Sequence, residues 1–368
     1  MVTKGRNASM EQLRVVAMLL IIGHHFVYYG GLLNAENLFN RCFAQFVNIG
    51  GKLGVNLFVL IGGWYMSKKE YRAERTVRLW LQSASTGLFM LILCALIWGG
   101  GSIGNGKDAI LGALFPVSQN ACWFAGTYII LTLLMPFLNL ILHSVGRRGM
   151  DILLCAAGTA ICLIPTVFIG KEMYFSPILW FVYLYLLVGR LRRWTCPALS
   201  RHGMKLFFFS VALIWLSTLL WSAIGQGNEA IWLYRNYYAE RMETLPMLIA
   251  SLGLFMAFVQ KKPCRNPNVE AAGRACFGIY LIHDNPIFRT HLWNEWIRPW
   301  ALSDSPVLMI YTALAVGMIF MGGWAVEWIR AHTIGRAEQW LLARFAPQLR
   351  RFDRILRHEL TGGWKMNT

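Results

Sequence analysis

Arg14 and His25 are the first residues in the chain that could do chemistry together. They lie in the apolar run MEQLRVVAMLLIIGHHFVYYGG, residues 10–31. An α-helix advances about 1.5 Å and turns about 100° per residue, so eleven steps place both side chains on nearly one face, roughly 16 Å apart. An imidazole titrates near neutral pH, so His25 could act as a general base toward a hydroxyl. His24 points to another face and is the weaker candidate.

The same two residues also have a structural interpretation. Arginine is common where a membrane helix meets the cytoplasm, so Arg14 could serve only as an anchor. His25 could serve only as a hydrogen-bonding residue between helices. The residue types alone do not decide between the two interpretations.

Three arginines recur at every third position in the run KKEYRAERTVR, residues 68–78. They are Arg72, Arg75 and Arg78. Residues at this spacing share one side of a helix, and guanidinium groups bind phosphate oxygens in pairs. The stripe is therefore a candidate clamp for a phosphate-bearing substrate. The alternative is that these residues only make a cytoplasmic segment basic.

A glycine-rich run, GKLGVNLFVLIGGWY, covers residues 51–65. Several glycines along one membrane helix favour close packing against a neighbouring helix, and we prefer that interpretation to direct catalysis. Lys52 and Asn56, one turn apart, are its polar exceptions.

A second polar pair interrupts the run FGIYLIHDNPIF, residues 277–288. His283 and Asp284 are costly at membrane depth unless other groups satisfy them. They could face the same cavity as His25. The structural alternative is a turn in a broken helix, capped by Asp284 and its neighbour.

Metal and nucleotide motifs do not offer a rival site. The eight cysteines are scattered, with no CxxC pair and no Cys/His cluster at metal spacing, so no metal site is expected. Neither an HExxH motif nor a Walker-type GKS/T motif is present.

The composition indicates that membrane helices must position these residues. Of the 368 residues, 56% are hydrophobic and only 14% are charged, against about 25% charged in soluble domains. The net charge of +17 would suggest nucleic acid in a soluble chain. Here the basic residues form short clusters between apolar runs, so the expected partner is the lipid bilayer and not nucleic acid.

The apolar runs predict an all-α polytopic membrane protein with about ten transmembrane helices. The sixth run is short, and Pro286 should kink or break the ninth. The predicted spans are 13–31, 48–66, 77–98, 121–142, 151–170, 177–190, 205–224, 245–260, 274–293 and 306–329.

The basic residues predict the topology. With a cytoplasmic N-terminus, most of the 35 Lys and Arg residues, Lys4 and Arg6 among them, fall in cytoplasmic segments, which favours an even number of spans and two cytoplasmic termini. Residues 1–332 are expected to form the membrane domain. Residues 333–368 form a tail in which arginines alternate with Trp, Leu and Phe at helical spacing, typical of a basic amphipathic helix on the cytoplasmic membrane surface.

In this order and spacing, the motifs resemble the membrane acyltransferase-3 family, the bacterial O-acyltransferases of surface polysaccharides, over nearly the whole chain. The family's first helix carries a basic residue, ten further residues and a histidine, as Arg14 and His25 do. Its Arg-x-x-Arg motif is matched by Arg75 with Arg78, or in the other register by Arg72 with Arg75.

Three more segments are similar to the family, with departures. The V-D/N-x-F-F-x-x-S-G-F/Y run corresponds to residues 55–64, where Gly62 replaces the serine and Trp64 the final aromatic residue. Trp123 and Tyr128 match aromatic residues of the family's Trp-led fourth helix, but the glutamate found there in many relatives is absent. The segment FGIYLIHDNP is similar to S-x-x-I-Y-L-x-H.

The resemblance implies transfer of an acyl group, usually acetyl, from cytoplasmic acyl-CoA to a hydroxyl of a cell-surface or lipid-linked glycan, in the bacterial cytoplasmic membrane. Acyl-CoA would be the donor substrate, and no permanently bound cofactor is expected. The implied catalytic residues are His25, as general base, and Arg14. The implied acyl-CoA ligands are Arg72, Arg75 and Arg78. The implied substrate cavity is lined by Asn56, Trp123, Tyr128, His283 and Asp284.

Two other functional classes remain open from the sequence. A transporter or flippase of a glycan or lipid-linked intermediate would share the broken helix and the buried polar residues. A sensory or partner-binding domain could keep the fold without the chemistry. Neither would need acyl-CoA, so release of free CoA discriminates between these classes and an enzyme.

Overall fold

The computed structural model describes residues 8–117, 122–169, 176–262 and 265–361, and within them every regular element is helical. Short 3-10 or π turns join several of the helices. The helices are α1 (Ala8–Tyr29), α2 (Leu38–Met66), α3 (Ala73–Trp98), α4 (Gly106–Leu114), α5 (Trp123–Ser144), α6 (Arg147–Gly158), α7 (Ile164–Val167), α8 (Pro177–Arg193), α9 (Pro197–Ile224), α10 (Glu229–Trp232), α11 (Tyr237–Glu240), α12 (Leu245–Val259), α13 (Pro267–His283), α14 (Phe288–His291), α15 (Leu308–His332) and α16 (Ile334–Thr361).

The predicted class, an all-α polytopic membrane protein, is confirmed. Across the described part of the chain, eight helices are long and apolar enough to cross a membrane: Ala8–Tyr29, Leu38–Met66, Ala73–Trp98, Trp123–Ser144, Arg147–Val167, Pro197–Ile224, Glu229–Val259 and Leu308–His332. The sixth and ninth predicted spans correspond to α8 and α13, which have 17 residues each. That length is at the lower limit for crossing a bilayer.

The predicted bounds of the ninth span, 274–293, are wrong. Helix α13 begins seven residues earlier. The Asn266 side chain caps it by accepting hydrogen bonds from the backbone N–H groups of Asn268 and Val269, and Pro267 occupies the first turn. It ends at His283, before Pro286, as expected for a residue without an N–H. The Asn285 side chain then caps the following turn by accepting from Ile287 N at 3.1 Å and Phe288 N at 3.3 Å.

Several predicted features lie outside the described residues: Lys4 and Arg6, positions 121 and 170 at the ends of two predicted spans, and residues 362–368 of the tail. The remaining long helices overlap their predicted spans, but α1, α2 and α9 begin five, ten and eight residues earlier. Helix α2 extends ten residues beyond its predicted start, with polar residues such as Asn40, Gln45 and Asn48 buried in it.

Close contact between α1 and α2 confirms the packing interpretation of the glycine-rich run. A Cβ atom on Gly54 of this run would lie 2.7 Å from the backbone oxygen of Ala17, and one on Gly50, just before the run, would lie 2.8 Å from that of Leu20. Backbone oxygens cannot move aside as a flexible side chain can. The two helices therefore approach this closely only because α2 has glycine at both positions.

One end of the bundle carries the beginning of α1, the end of α2 and the beginning of α3. Arg14 lies over the Tyr65 ring, and Ala73 N donates a hydrogen bond to Asp353 of α16 at 2.8 Å. We call this the basic end and the opposite end the outer end. The beginning of α1 and part of α16 therefore lie at the same end, and the even number of spans stays a prediction.

Helix α16 is held to the bundle by ionic contacts. Arg330, 3% exposed, forms ion pairs with Glu327 of its own helix and with Glu338 of α16, and Ser85 of α3 bonds to both Arg330 and Glu338. Large apolar side chains remain exposed on α16: Trp340, Phe345, Phe352 and Ile355. The membrane-surface location of the tail stays a prediction.

Candidate active site

A pair of histidines from α1 and α13 forms the centre of the candidate site. His25 Nδ1 lies 3.0 Å from His283 Nε2, and the ring centroids are 5.2 Å apart. His283 is only 1% exposed, whereas His25 is half-buried. His25 lies four residues before the end of α1, roughly 6 Å along the helix axis from Tyr29, so it lies nearer the outer end than mid-depth.

The hydrogen bonds determine which ring nitrogen of each neutral histidine carries the proton. The backbone oxygen of Ile279 can only accept, so His283 Nδ1 donates to it at 2.7 Å. His283 Nε2 then has a lone pair and accepts from His25 Nδ1–H. His25 Nε2 is therefore the unprotonated nitrogen, which is the protonation state that a general base requires.

His24 has a structural environment instead. Its Nδ1 donates to the Asn48 side-chain oxygen at 2.7 Å and lies 3.2 Å from the Asn48 backbone oxygen. Its ring packs where Gly51 has no side chain, since a Cβ there would lie 2.4 Å from His24 Cγ. His24 thus joins α1 to α2, which agrees with its lower rank in the sequence interpretation.

A second polar cluster lies one turn beyond His25. The Tyr29 hydroxyl donates to Asp284 Oδ1 at 3.1 Å, and Arg289 Nη1 donates to the Tyr29 oxygen at 3.2 Å. Arg289 also lies 3.5 Å from the Asp284 carboxylate. Because Asp284 directly follows His283 and Tyr29 lies one turn after His25, this cluster fixes α13 against α1 on the outer side of the histidine pair.

Lys52 of α2 and Trp123 of α5 form a cation–aromatic contact. Lys52 Nζ lies 5.5 Å from the centroid of the Trp123 ring. Tyr128, also predicted to line the cavity, is half-buried, and a Cβ on Gly62 would lie 2.0 Å from its hydroxyl. The Tyr128 hydroxyl thus fills the space where the family pattern has a serine side chain.

Asn56 holds three helices together. Its Nδ2 donates to the Met242 backbone oxygen at 2.9 Å and to Ser251 Oγ at 3.1 Å, and its Oδ1 accepts from Trp180 Nε1 at 2.9 Å. The side chain is fully buried. These contacts give Asn56 a packing role between α2, α8 and α12.

Arg14 and the arginine stripe lie at the basic end, far from the histidine pair. Arg14 forms an ion pair with Glu11, and its side chain is 20% exposed. Arg72 precedes α3 in extended conformation, so only Arg75 and Arg78 belong to the helix. Arg75 donates to the Glu70 backbone oxygen at 3.0 Å, and Arg78 pairs with Glu74 at 2.6 Å. The structure therefore separates the predicted donor-binding residues from the predicted base.

A cavity of about 240 Å³ lies between α3, α4 and the turn that follows α13. Asn285, two residues after His283, is part of its wall. Its other lining residues are largely small or apolar, with Asp108 as the acidic exception: Ser83, Gly87, Leu91, Asp108, Ala109, Gly112, Ala113, Pro116, Cys122, Leu281, Pro286 and Ile287. This volume could admit a small polar group, and neither His25 nor His283 is among the residues that line it.

Sequence reasoning missed Tyr29 and Arg289 as members of the site. Tyr29 could have been found from its spacing, because it follows His25 by four residues and shares its face of α1. Arg289 follows the helix break, where no helical periodicity predicts a neighbour.

Comparison with known proteins gives one finding. The acyltransferase-3 family model, described as an acyltransferase domain, matches residues 7–326. The matched segment contains the histidine pair, the Tyr29 cluster and the arginines of the basic end. No curated protein and no solved structure matches the chain.

Proposed function

The chain belongs to the acyltransferase-3 family, and on that premise we propose that it moves an acyl group, acetyl by preference, from cytoplasmic acyl-CoA to a hydroxyl of a cell-surface or lipid-linked glycan. Membership and the helices of membrane-spanning length make it a membrane acyltransferase. The proposal adds the donor, the acceptor and the bacterial cytoplasmic membrane as its location.

The histidine pair carries this proposal. In an O-acyl transfer, a base must remove the acceptor's hydroxyl proton as the oxygen attacks the thioester carbon. His25 Nε2 is unprotonated because His283 accepts from the opposite nitrogen of the same ring. The arrangement has the form of a base with an orienting partner, as in other acyl-transfer sites.

The proposed acyl transfer has two steps. First, His25 takes the hydroxyl proton as a carbon–oxygen bond forms at the thioester carbonyl. Next, the carbon–sulfur bond breaks, the ester is released, and the proton on His25 neutralises the CoA thiolate. The guanidinium group of Arg289, in the Tyr29 cluster one turn beyond His25, would stabilise the negative charge on the carbonyl oxygen between these steps.

The two substrates would approach from opposite ends. The cations of the basic end suit the phosphates of acyl-CoA, which is made in the cytoplasm. The acceptor would reach His25 from the outer end, where α1 ends. Transfer then takes place across the bundle, without either substrate crossing it.

Purified protein in detergent or nanodiscs tests the function directly. With acetyl-CoA and an extract of surface or lipid-linked glycans, we expect stoichiometric release of free CoA thiol and appearance of O-acetyl ester in the glycan. A transporter or flippase would release no CoA. The glycans of a deletion strain, analysed by mass spectrometry and NMR, would identify the acceptor by the ester that is lost.

Replacing Arg75 or Arg78 with glutamine should mainly weaken donor binding. Both side chains lie near the surface, where one charge contact contributes up to about 1 kcal/mol, so we expect KM for acetyl-CoA to rise up to about fivefold with little change in kcat. Arg201→Gln, which removes an exposed charge at the same end on α9, is the matched control. Equal CoA affinity in wild type and the two variants would remove these residues from the donor site.

A further inference from the structure

Three cations from three segments converge on one aromatic ring at the basic end. The guanidinium carbons of Arg14 and Arg192 lie 5.8 Å and 6.0 Å from the centroid of the Tyr65 ring, and Lys69 Nζ lies 5.9 Å from it. Arg192 also lies 4.8 Å from the centroid of the Trp64 ring. These residues come from α1, the end of α2 with the turn after it, and the end of α8. Arg14 also forms an ion pair with Glu11 of its own helix, but the three like charges around Tyr65 still repel one another.

Arg192 has a hydrogen-bonding group that the described protein does not satisfy. Its Nη1 is buried and has no hydrogen-bond partner among the described residues. An aromatic ring covers the flat face of a guanidinium group, but it does not accept hydrogen bonds from the N–H groups at the edge. A buried donor without a partner is costly, so native structures rarely keep one.

The neighbouring arginines show that this environment is specific to Arg192. Arg190 forms two hydrogen bonds to the Asp151 carboxylate, at 2.6 Å and 3.0 Å. Arg193 donates to the Leu142 backbone oxygen. Both are occupied in holding α8 to α5 and α6, whereas Arg192 Nη1 has no hydrogen-bond partner among the described residues.

We propose that Arg192, together with Arg14 and Lys69 around Tyr65, binds the diphosphate group of the acyl donor. A guanidinium group binds two phosphate oxygens in parallel, which would satisfy the free N–H and offset the repulsion among the three cations. Lys69 is exposed and the ring is half-buried, so the site is open at the basic end. This inference rests on the proposed function, and it names where in the protein the donor is held.

The location suits the geometry of acyl-CoA. The pantetheine arm leaves the diphosphate and ends at the thioester. His25 lies eleven steps after Arg14 along one helix, roughly 16 Å away. An extended arm starting at the Tyr65 ring would reach the region of the histidine pair. The more exposed Arg75 and Arg78 would then lie nearer the 3′-phosphate on the ribose.

The test compares two donors that differ in one phosphate. Arg192→Gln should weaken binding of CoA and of dephospho-CoA, which lacks the 3′-phosphate, by the same factor, about 10- to 100-fold in Kd measured by calorimetry on the purified protein. Arg78→Gln should weaken binding of CoA but not of dephospho-CoA. Arg201→Gln should leave both affinities unchanged, which controls for the loss of one charge at this end.

Each result has one consequence. Wild-type protein that binds neither CoA nor dephospho-CoA would overturn the proposed function and this inference with it. Wild-type binding that Arg192→Gln leaves intact would overturn only this inference. Should Arg192→Gln instead remove a bound anionic phospholipid while CoA affinity stays the same, the site belongs to lipid phosphate and the inference is wrong.

Discussion

Replacing His25 with alanine is expected to abolish acyl transfer while the helix bundle stays assembled. General-base catalysis contributes about 10²- to 10⁴-fold to a rate. Among the described residues on this face of α1, only His25 has both an orienting partner and an unprotonated ring nitrogen. His25 is half-buried, and its replacement removes one hydrogen bond without opening a charged cavity. The measurement is acetyl-CoA turnover by purified protein, with Kd for CoA determined on the same sample.

His24→Asn provides the matched control for His25→Ala. The asparagine amide can replace His24 Nδ1 as the donor to the Asn48 side-chain oxygen, so the contact between α1 and α2 is kept. We expect this variant to retain turnover within a few-fold of wild type and His25→Ala to keep wild-type CoA affinity. A His25→Ala protein that elutes normally from a sizing column and still transfers acyl groups would exclude His25 as the base.

Much of the fold could be predicted from the sequence because membrane insertion restricts the alternatives. A run of about 20 apolar residues in a bilayer has to satisfy its backbone internally, so it forms a helix. The structure places a helix at each predicted span. Helices α1 and α2 begin before their predicted spans. Their first turns contain polar residues that neighbouring helices bury, such as Asn40 and Gln45.

The pairing of His25 with His283 lies beyond what sequence reasoning could reach. The two residues are 258 positions apart, and their contact depends on how α13 packs against α1. The sequence indicated that His283 needed a partner, because a polar group at that depth is costly. It could not indicate which nitrogen would be bonded, and that detail is what assigns the unprotonated atom of His25.

Residue type alone gives a wrong prediction where the same side chain suits both a structural role and a functional role. Asn56 matches a family motif and was expected in the substrate cavity, but every hydrogen-bonding group of its side chain contacts protein. Arg192 gave no sequence signal, since it stands among three arginines near the end of α8. Only the contacts distinguish it from Arg190, which has a carboxylate partner.

Replacing His283 with leucine should lower kcat strongly while the KM for acetyl-CoA stays nearly constant. Leucine cannot accept a hydrogen bond, so His25 Nδ1–H would lose its partner and both neutral forms of the His25 ring would be populated. The loss should be about 10- to 100-fold, smaller than the roughly 10⁴-fold cost of disabling a charged orienting carboxylate, because a neutral imidazole stabilises the protonated base less. His283 would act on the reaction through its hydrogen bond to His25, as a positioning residue.

Rescue by glutamine distinguishes positioning from packing. The amide oxygen of His283→Gln lies at about the reach of the imidazole Nε2, so it can accept from His25, whereas His283→Leu fills similar volume without an acceptor. We expect His283→Gln to restore much of the kcat. We expect His283→Leu both to lower the rate and to shift the acid limb of the pH–rate profile, because the acceptor at position 283 stabilises the His25 ring with a proton on Nδ1. Equal activity of the two variants would mean that His283 only packs α13 against α1, and the base would then have to be oriented by the Tyr29 cluster alone.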